Sequence, residues 1–407
     1  MIEEENFSQK TKGSVVGASK VSAESEVFEN KLRPKEFDHY VGQGDVKKNL
    51  KVFVEAAKKR GETLDHTIFY GPPGLGKTTL AMILAGEMTR QLRVTSGPAL
   101  EKPGDLASIL SNLKDGDFLF IDEIHRLRMP VEEILYTAME DFAIDLVVGK
   151  GPSARTMRLN VPRFTLIGAT TLMSRLSSPL RDRFGHTEKL RYYELDEIQQ
   201  ILERSSHILD IKIEEAAAKK LSQSCRCTPR IANRLLRRMR DFAEILHEGL
   251  ITEKVVEEGL KSLSVDEKGL DFADQELLRA VCEKFGGGPV GLSTISAAIG
   301  EDVNTIEDMI EPFLIREGLL QKTPRGRMAT ELAFSHLGLE NLKPENGTKL
   351  FGNFKERLIN KLYLSAIISA KAGLSFSLKI SFVFPKFLYT MKFRDAKKIY
   401  ICYRGCL

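Results

Sequence analysis

The stretch "GPPGLGKTT", Gly71 to Thr79, follows the apolar run "HTIFY" and precedes the helical pattern "TTLAMILAGEM". It satisfies G-x-x-x-x-G-K-[ST] without a mismatch, in the strand-before, helix-after setting that this pattern requires. Glycines let backbone N–H groups close around a phosphate at a helix N-terminus. Gly74, Gly76 and Thr79 belong to that cradle; Lys77 is expected to reach the β- and γ-phosphates of ATP, and the Thr78 hydroxyl to ligate Mg2+.

Outward from this loop, apolar strand-like runs near 66–70, 92–95, 117–121 and 164–169 alternate with helical patterns or loops. Alternation of that kind predicts an α/β fold with a parallel sheet. "FLFIDEIHR" delivers Asp122 and Glu123 to the end of an apolar strand: Asp122 to hold Mg2+ through water, Glu123 to orient or deprotonate the attacking water. His125 beside them reads as structural or as a relay. "FTLIGATTLMSRLSSPLRDRFG" puts Thr171 at the end of another strand, suited to reporting the γ-phosphate. Arg183 in "RDRFG" is placed like an arginine finger acting on a neighbour's nucleotide, which requires a ring or other oligomer. "CTPRIANRLLRRMR" adds Arg230 at a helix start, able to lean onto the γ-phosphate, with Arg234 and Arg237 continuing as a solvated face.

Five segments are expected. Residues 1–28 form a flexible arm, and 29–190 the large ATPase domain. Residues 191–264 turn purely helical, with Asp196 and Thr252 as N-caps and Gly249 as a C-cap. Residues 265–340 give helices near 273–285, 293–300 and 304–316 and then "GLLQKTPRGRMAT", a strand, basic turn and strand, which suggests a winged helix. Residues 341–407 are a basic, aromatic-rich tail.

Composition narrows the function classes. Of 407 residues 42% are hydrophobic and 29% charged, within the ordinary globular range. The net charge of +4 does not describe the body: the tail carries +10 and the remaining 340 residues −6. The tail is open to three readings, a disordered appendage, a nucleic-acid-binding arm or a membrane-proximal segment. Five cysteines without zinc-like pairing, an N-terminus without an apolar signal core and the lack of a clean apolar run of spanning length predict a cytoplasmic protein with no membrane segment. From the residues alone a DNA motor, a clamp-loader-like ATPase and a non-motor ATP-switched DNA-binding initiator or regulator all remain open.

With these pieces in order, the chain resembles the AAA+ superfamily and, within it, the RuvB family of Holliday-junction branch-migration ATPases. The narrow resemblance rests on "LRPKEFDHYVGQ", "LFIDEIHRL", "YTAMEDFAIDLVVGKGPSARTMRLNVPRFTLIGATT", "SPLRDRFG", "TPRIANRLLRR" and "QKTPRGRMAT", and covers about residues 27–340. It implies an α/β ATPase domain, a helical lid and a winged helix in a homohexameric ring around duplex DNA. It implies that Leu32, Arg33, Tyr193 and Arg230 contact the nucleotide within one subunit, while Arg183 and Glu140, Asp141 and Phe142 face the neighbour's nucleotide. The segment 144–162 would be a hairpin offering Leu146 and Val147 to RuvA; Lys322, Arg325 and Arg327 would meet DNA phosphates; the RuvC resolvase is a further partner. Departures include Cys227 where the family usually has Gly, Lys322 for a usual Arg, "GHTEKLRYY" after the finger, and the tail.

Overall fold

The computed structural model describes residues 23–148, 155–339, 379–384, 387–395 and 398–405. Its central sheet is built from β1 (Thr67–Tyr70), β2 (Leu92–Ser96), β3 (Phe118–Asp122), β6 (Thr165–Thr170) and β7 (His186–Lys189), in the order β2-β3-β6-β1-β7. Every pairing in it is parallel. The three central strands read "FLFID", "TLIGAT" and "TIFY" and are almost wholly buried, as strands covered on both faces must be. The edges read "LRVTS" and "HTEK", with polar residues at half-exposed positions. β7 was not expected, because a charged edge strand carries no apolar signature.

Around the sheet lie α2 (Gly44–Arg60), α3 (Lys77–Glu87), α4 (Pro103–Ser111) and α5 (Met129–Asp141). β4 (Ala143–Val148) and β5 (Arg155–Asn160) form the expected hairpin, paired from Ala143↔Asn160 to Val148↔Arg155. A short α6 (Ser178–Arg181) precedes β7. The arm is shorter than expected: α1 (Ala23–Leu32) starts inside it, and the ring of Phe28 sits 4.9 Å beneath the Arg237 guanidinium. Residues 1–22 lie outside the described residues.

The next region contains α7 (Leu195–Ile208), α8 (Glu215–Gln223), α9 (Pro229–Leu246) and α10 (Glu253–Ser262). Leu235, Leu236, Met239 and Ala243 form the buried face of α9, each large side chain contributing about 1.5–3 kcal/mol by leaving water. The region is not purely helical: Lys212↔Leu250 and Ile213↔Ile251 pair as two short parallel strands, β8 (Lys212–Ile213) and β9 (Leu250–Ile251). Thr252 caps α10 by accepting from the Val255 N–H. Asp196 is not a cap: Glu194 takes that place, in a capping box with Glu197, and Asp196 lies in the first turn. Gly249 closes α9 from beyond its end, with φ 81° and its N–H donated to Ala243.

The chain divides into two compact units, residues up to 278 with 296–317, and 279–295 with 318 onward. After α10 the chain forms α11 (Phe272–Arg279) and α12 (Leu292–Ile299); in the first unit, α13 (Val303–Thr305) leads into a π-helical stretch, Ile306–Ile310, before α14 (Glu311–Arg316). One helix was expected over 304–316. Pro312, in the first turn of α14, has no N–H to give the preceding turn, so the ladder widens there. In the second unit, β10 (Leu320–Thr323) and β11 (Gly326–Ala329) form an antiparallel wing, followed by α15 (Glu331–His336). From the tail come β12 (Lys379–Phe384), β13 (Phe387–Asp395) and β14 (Lys398–Gly405), an antiparallel sheet in that order. Reading the tail as disordered does not hold for these strands, whose sequences are dense in β-branched and aromatic residues. Residues 341–378 lie outside the described residues. Among the described residues no helix is long and apolar enough to cross a membrane.

Candidate active site at the ends of three parallel strands

Because β3, β6 and β1 are adjacent and parallel, their C-terminal ends gather on one edge of the sheet. The phosphate loop leaves β1, Asp122 ends β3 and Thr170 ends β6. Gly76 holds φ 96° at the start of α3, a left-handed conformation costly to any side chain. A Cβ on Gly74 would lie 2.8 Å from Thr228 Cγ2 and 3.1 Å from Arg230 Cβ, so this glycine lets the loop lie against the start of α9.

The Lys77 ammonium donates to the Gly71 and Pro72 carbonyls, at 2.7 and 2.8 Å. Burial pulls its pKa down to about 8, partly opposed by the Asp122 carboxylate. Asp122 Oδ1 accepts from the Glu123 N–H at 2.9 Å; Glu123 has φ 48° and pairs with Arg126 at 2.9 Å. His125 Nδ1 lies 2.9 Å from Thr170 Oγ1, which also accepts from the Leu172 N–H. Burial lowers the His125 pKa, so the neutral ring ties the β3 loop to the end of β6. β6 thus ends at Thr170, one residue before Thr171, whose position lines the cleft.

One cleft is lined by Leu32, Arg33, Gly74, Gly76, Lys77, Thr78, Thr79, Asp122, Glu123, Thr171, Tyr193 and Arg230, twelve of the expected residues. Its far wall includes Tyr40, Ile201 and Arg204, which sequence reasoning missed. The Tyr193 hydroxyl lies 3.1 Å from the Tyr40 hydroxyl and 3.3 Å from the Leu75 carbonyl, which accepts its proton. Burial pushes the Tyr193 pKa up to about 12, so the phenol remains a donor. Arg204 donates to the Leu32 carbonyl at 2.8 Å and fixes that wall. Glu29 lies 3.9 Å from both Arg33 and Arg230. Arg234 and Arg237 do not form an open solvated face; they turn toward α1, where Arg237 covers Phe28 and burial lowers the Arg234 pKa.

Four expected residues stand elsewhere in this chain. Arg183 pairs with Glu140 at 3.0 Å and donates to the Pro179 carbonyl at 2.7 Å. Asp141 pairs with Arg158 at 2.7 Å, and Phe142 packs edge-on against Phe164. None of the four lines the cleft. On the wing, Lys322 lies across from Arg327 in register, with Arg325 at the turn.

Among the described residues no group of three or more His, Cys, Asp or Glu forms a metal cage. The cleft lining instead includes the Thr78 hydroxyl beside the loop and the Asp122 carboxylate at the end of β3, hard oxygen donors of the kind that suit Mg2+.

Behind the cleft, Arg226 and Cys227 both adopt left-handed backbone, φ 52° and 53°, where glycine would be unstrained. The Cys227 carbonyl accepts from the Tyr193 N–H at 3.1 Å. The buried Arg226 guanidinium bonds Asp274, lies 3.6 Å from Asp271, donates to the Gly269 carbonyl at 2.7 Å and stacks over Phe313. Arg316 donates to the Arg226 carbonyl at 3.0 Å. Burial, reinforced by Asp271 and opposed by Arg226, raises the Asp274 pKa to about 7.

Three family models match in succession: the Holliday junction DNA helicase RuvB P-loop domain over residues 32–190, the RuvB AAA lid domain over 193–266, and the RuvB C-terminal winged helix domain over 267–338. Among solved structures, the Thermotoga maritima RuvB Holliday junction branch migration motor is 45% identical, over 76% of this chain and 99% of that one, with a TM-score of 0.69. A mutant form of T. maritima RuvB is 46% identical over the same shares, with a TM-score of 0.70.

Proposed function

The chain belongs to the RuvB family of ATP-dependent Holliday-junction branch-migration motors, and on that footing we propose that it works as a homohexameric ring on duplex DNA, binds Mg2+-ATP at the cleft, and receives junctions from RuvA. The observation that supports the ring is the division of the site: twelve expected residues share one cleft, while Arg183 and Glu140 are held together outside it.

In this reading the γ-phosphate takes the Lys77 ammonium away from the Gly71 and Pro72 carbonyls. Thr78 and Asp122 would hold Mg2+, which when bound spreads the charge of the β- and γ-phosphate oxygens. Glu123 leaves Arg126 to orient and deprotonate the attacking water, and Thr171 hydrogen-bonds that water from the neighbouring strand end. Arg230 leans onto the γ-phosphate from α9, so the nucleotide's state sets the lid angle. Leu32, Arg33 and Tyr193 receive the base and ribose, and Arg183, with Glu140, Asp141 and Phe142 beside it, faces the next subunit's phosphates. The wing cations Lys322, Arg325 and Arg327 contact DNA backbone, a sequence-independent interaction suited to a motor that must pass any sequence. The β4–β5 hairpin is the RuvA contact; Met157 on it is 46% exposed, and the side chains of Leu146 and Val147 lie outside the described residues. RuvC is a further partner, and work on chromosomal junctions places the protein in the cytoplasm.

A junction-dissociation assay with RuvA, ATP and Mg2+ tests the reading. Four-way junctions should be resolved into duplexes only when all three are present. ATP hydrolysis indifferent to DNA and RuvA, with no junction dissociated, would overturn it.

A further inference from the structure

We propose that Tyr136 is a positioning residue for Arg183: its ring is the platform from which the guanidinium is presented across the subunit interface. The inference rests on the trans-acting role given to Arg183 above. The Arg183 guanidinium carbon lies 4.7 Å from the centre of the Tyr136 ring, within cation–π range. Two hydrogen-bonded arms hold the same fork, Nη1 to the Pro179 carbonyl at 2.7 Å and Nη2 to Glu140 at 3.0 Å. Arg183 Nε is buried and has no hydrogen-bond acceptor among the described residues.

The platform is itself fixed. The Tyr136 hydroxyl donates to Glu132 at 2.6 Å and lies 2.9 Å from Ser177 Oγ, and Ser177 also donates to Glu132. Glu132 is 8% exposed, so its carboxylate has few alternatives to these hydroxyls. Ser177 in turn caps α6 by accepting from the Leu180 N–H. Burial and Glu132 keep the Tyr136 phenol above its ordinary pKa range, so it stays a donor. Tyr136 therefore joins both determinants of where Arg183 points: the start of the turn that carries its backbone, and the face beneath its charge. A flat π-face attracts the cation without fixing the rotation of the fork, which leaves it free to re-aim from Glu140 toward a phosphate.

The test is steady-state ATPase of the full chain on DNA with RuvA, for Tyr136→Leu, Tyr136→Phe, Arg183→Ala and the double variant Tyr136→Leu/Arg183→Ala. Tyr136→Leu should lower kcat about tenfold, the scale of a partly desolvated cation–π contact. KM for ATP should stay within about twofold. Tyr136→Phe, which keeps the ring, should lose less. Adding Tyr136→Leu to Arg183→Ala should produce no further loss, since the two act as one unit. Mixed with Lys77→Ala subunits, Tyr136→Leu subunits should regain turnover, because Lys77→Ala subunits bring an intact finger to their sites. A merely structural role would depress both backgrounds and would not be complemented in trans. Wild-type kcat in Tyr136→Leu beside an inactive Arg183→Ala would overturn this inference alone. Wild-type kcat in Arg183→Ala would overturn the finger assignment and this inference with it. Should Tyr136→Leu fail to fold, Tyr136→Met, nearer in volume and without the π-face, takes its place in each measurement.

Discussion

Lys77 and Arg183 are both cations assigned to the same phosphates, yet the fold treats them in opposite ways. Lys77 is 7% exposed, wrapped by the carbonyls of its own loop, and its ammonium is drawn down to about 8. Arg183 lies outside the cleft on an aromatic platform, its side chain 23% exposed. A lysine can be desolvated at the risk of losing its proton; a guanidinium keeps its charge wherever it is carried. The buried cation suits the half of a site that its own chain supplies, and the outward cation suits the half supplied to a neighbour.

The strongest way to break this contrast is at the cleft. Lys77→Ala should abolish ATP binding measured by calorimetry, while Glu123→Gln should bind normally and lose turnover. Wild-type hydrolysis by Glu123→Gln would mean that Glu123 does not activate water. Next in size, Arg183→Ala should cost about 10³–10⁵ in turnover, as loss of a finger does. Mixing it with Lys77→Ala subunits should restore ATPase; mixed rings no better than either parent, with co-assembly verified, would place Arg183 in cis. A smaller effect sharpens the description of Lys77. The charged form binds phosphate, so affinity is intact below pH 8 and lost as pH rises through the depressed pKa of about 8. The ATP Kd should rise up to about tenfold per unit above that point, and a flat titration from pH 7.5 to 9.5 would show that Lys77 stays protonated throughout.

The smallest effect concerns Asp274. Its pKa is raised in the fold, to about 7 from an ordinary 3.8, so the folded state holds a proton that the unfolded chain releases. The stability it contributes is present below pH 3.8 and declines as pH rises to about 7, by at most about 1.4 kcal/mol per unit. Denaturant titrations at pH 5 and pH 7 should show a smaller drop in Asp274→Asn than in the parent chain. An equal drop in both would remove Asp274 from the account.

Much of this was legible in the sequence where chemistry and local pattern coincide. The strands β1, β3 and β6 are apolar runs that lead straight into the phosphate loop, Asp122 and Thr171, so one stretch of chain carries both signals. β7 was illegible because "HTEK" lies at an edge and presents polar groups, and β8 and β9 because two residues have no period. Residues 23–28 looked like arm because their order comes from α1's contacts with distant residues, such as Phe28 under Arg237. The cleft's far wall escaped for the same reason: Tyr40 meets Tyr193 across 153 residues. Tyr136 likewise gives no local sign that a turn far along the chain will lay Arg183 on its ring.

The stretch Cys225 to Thr228 has a mechanical consequence. One of its carbonyls is bonded to Tyr193 on the nucleotide side, and one of its side chains is locked to Asp271 and Asp274 on the other. Thr228 stands against Gly74 of the phosphate loop, and Arg316 grips the Arg226 carbonyl. Two consecutive residues in left-handed backbone are costly, and the contacts on either side hold them there. The segment is tied at both ends, as an axle is keyed to two wheels. A shift of the phosphate loop large enough to move Thr228 would have to carry Arg226, and the two carboxylates that hold it, along with it.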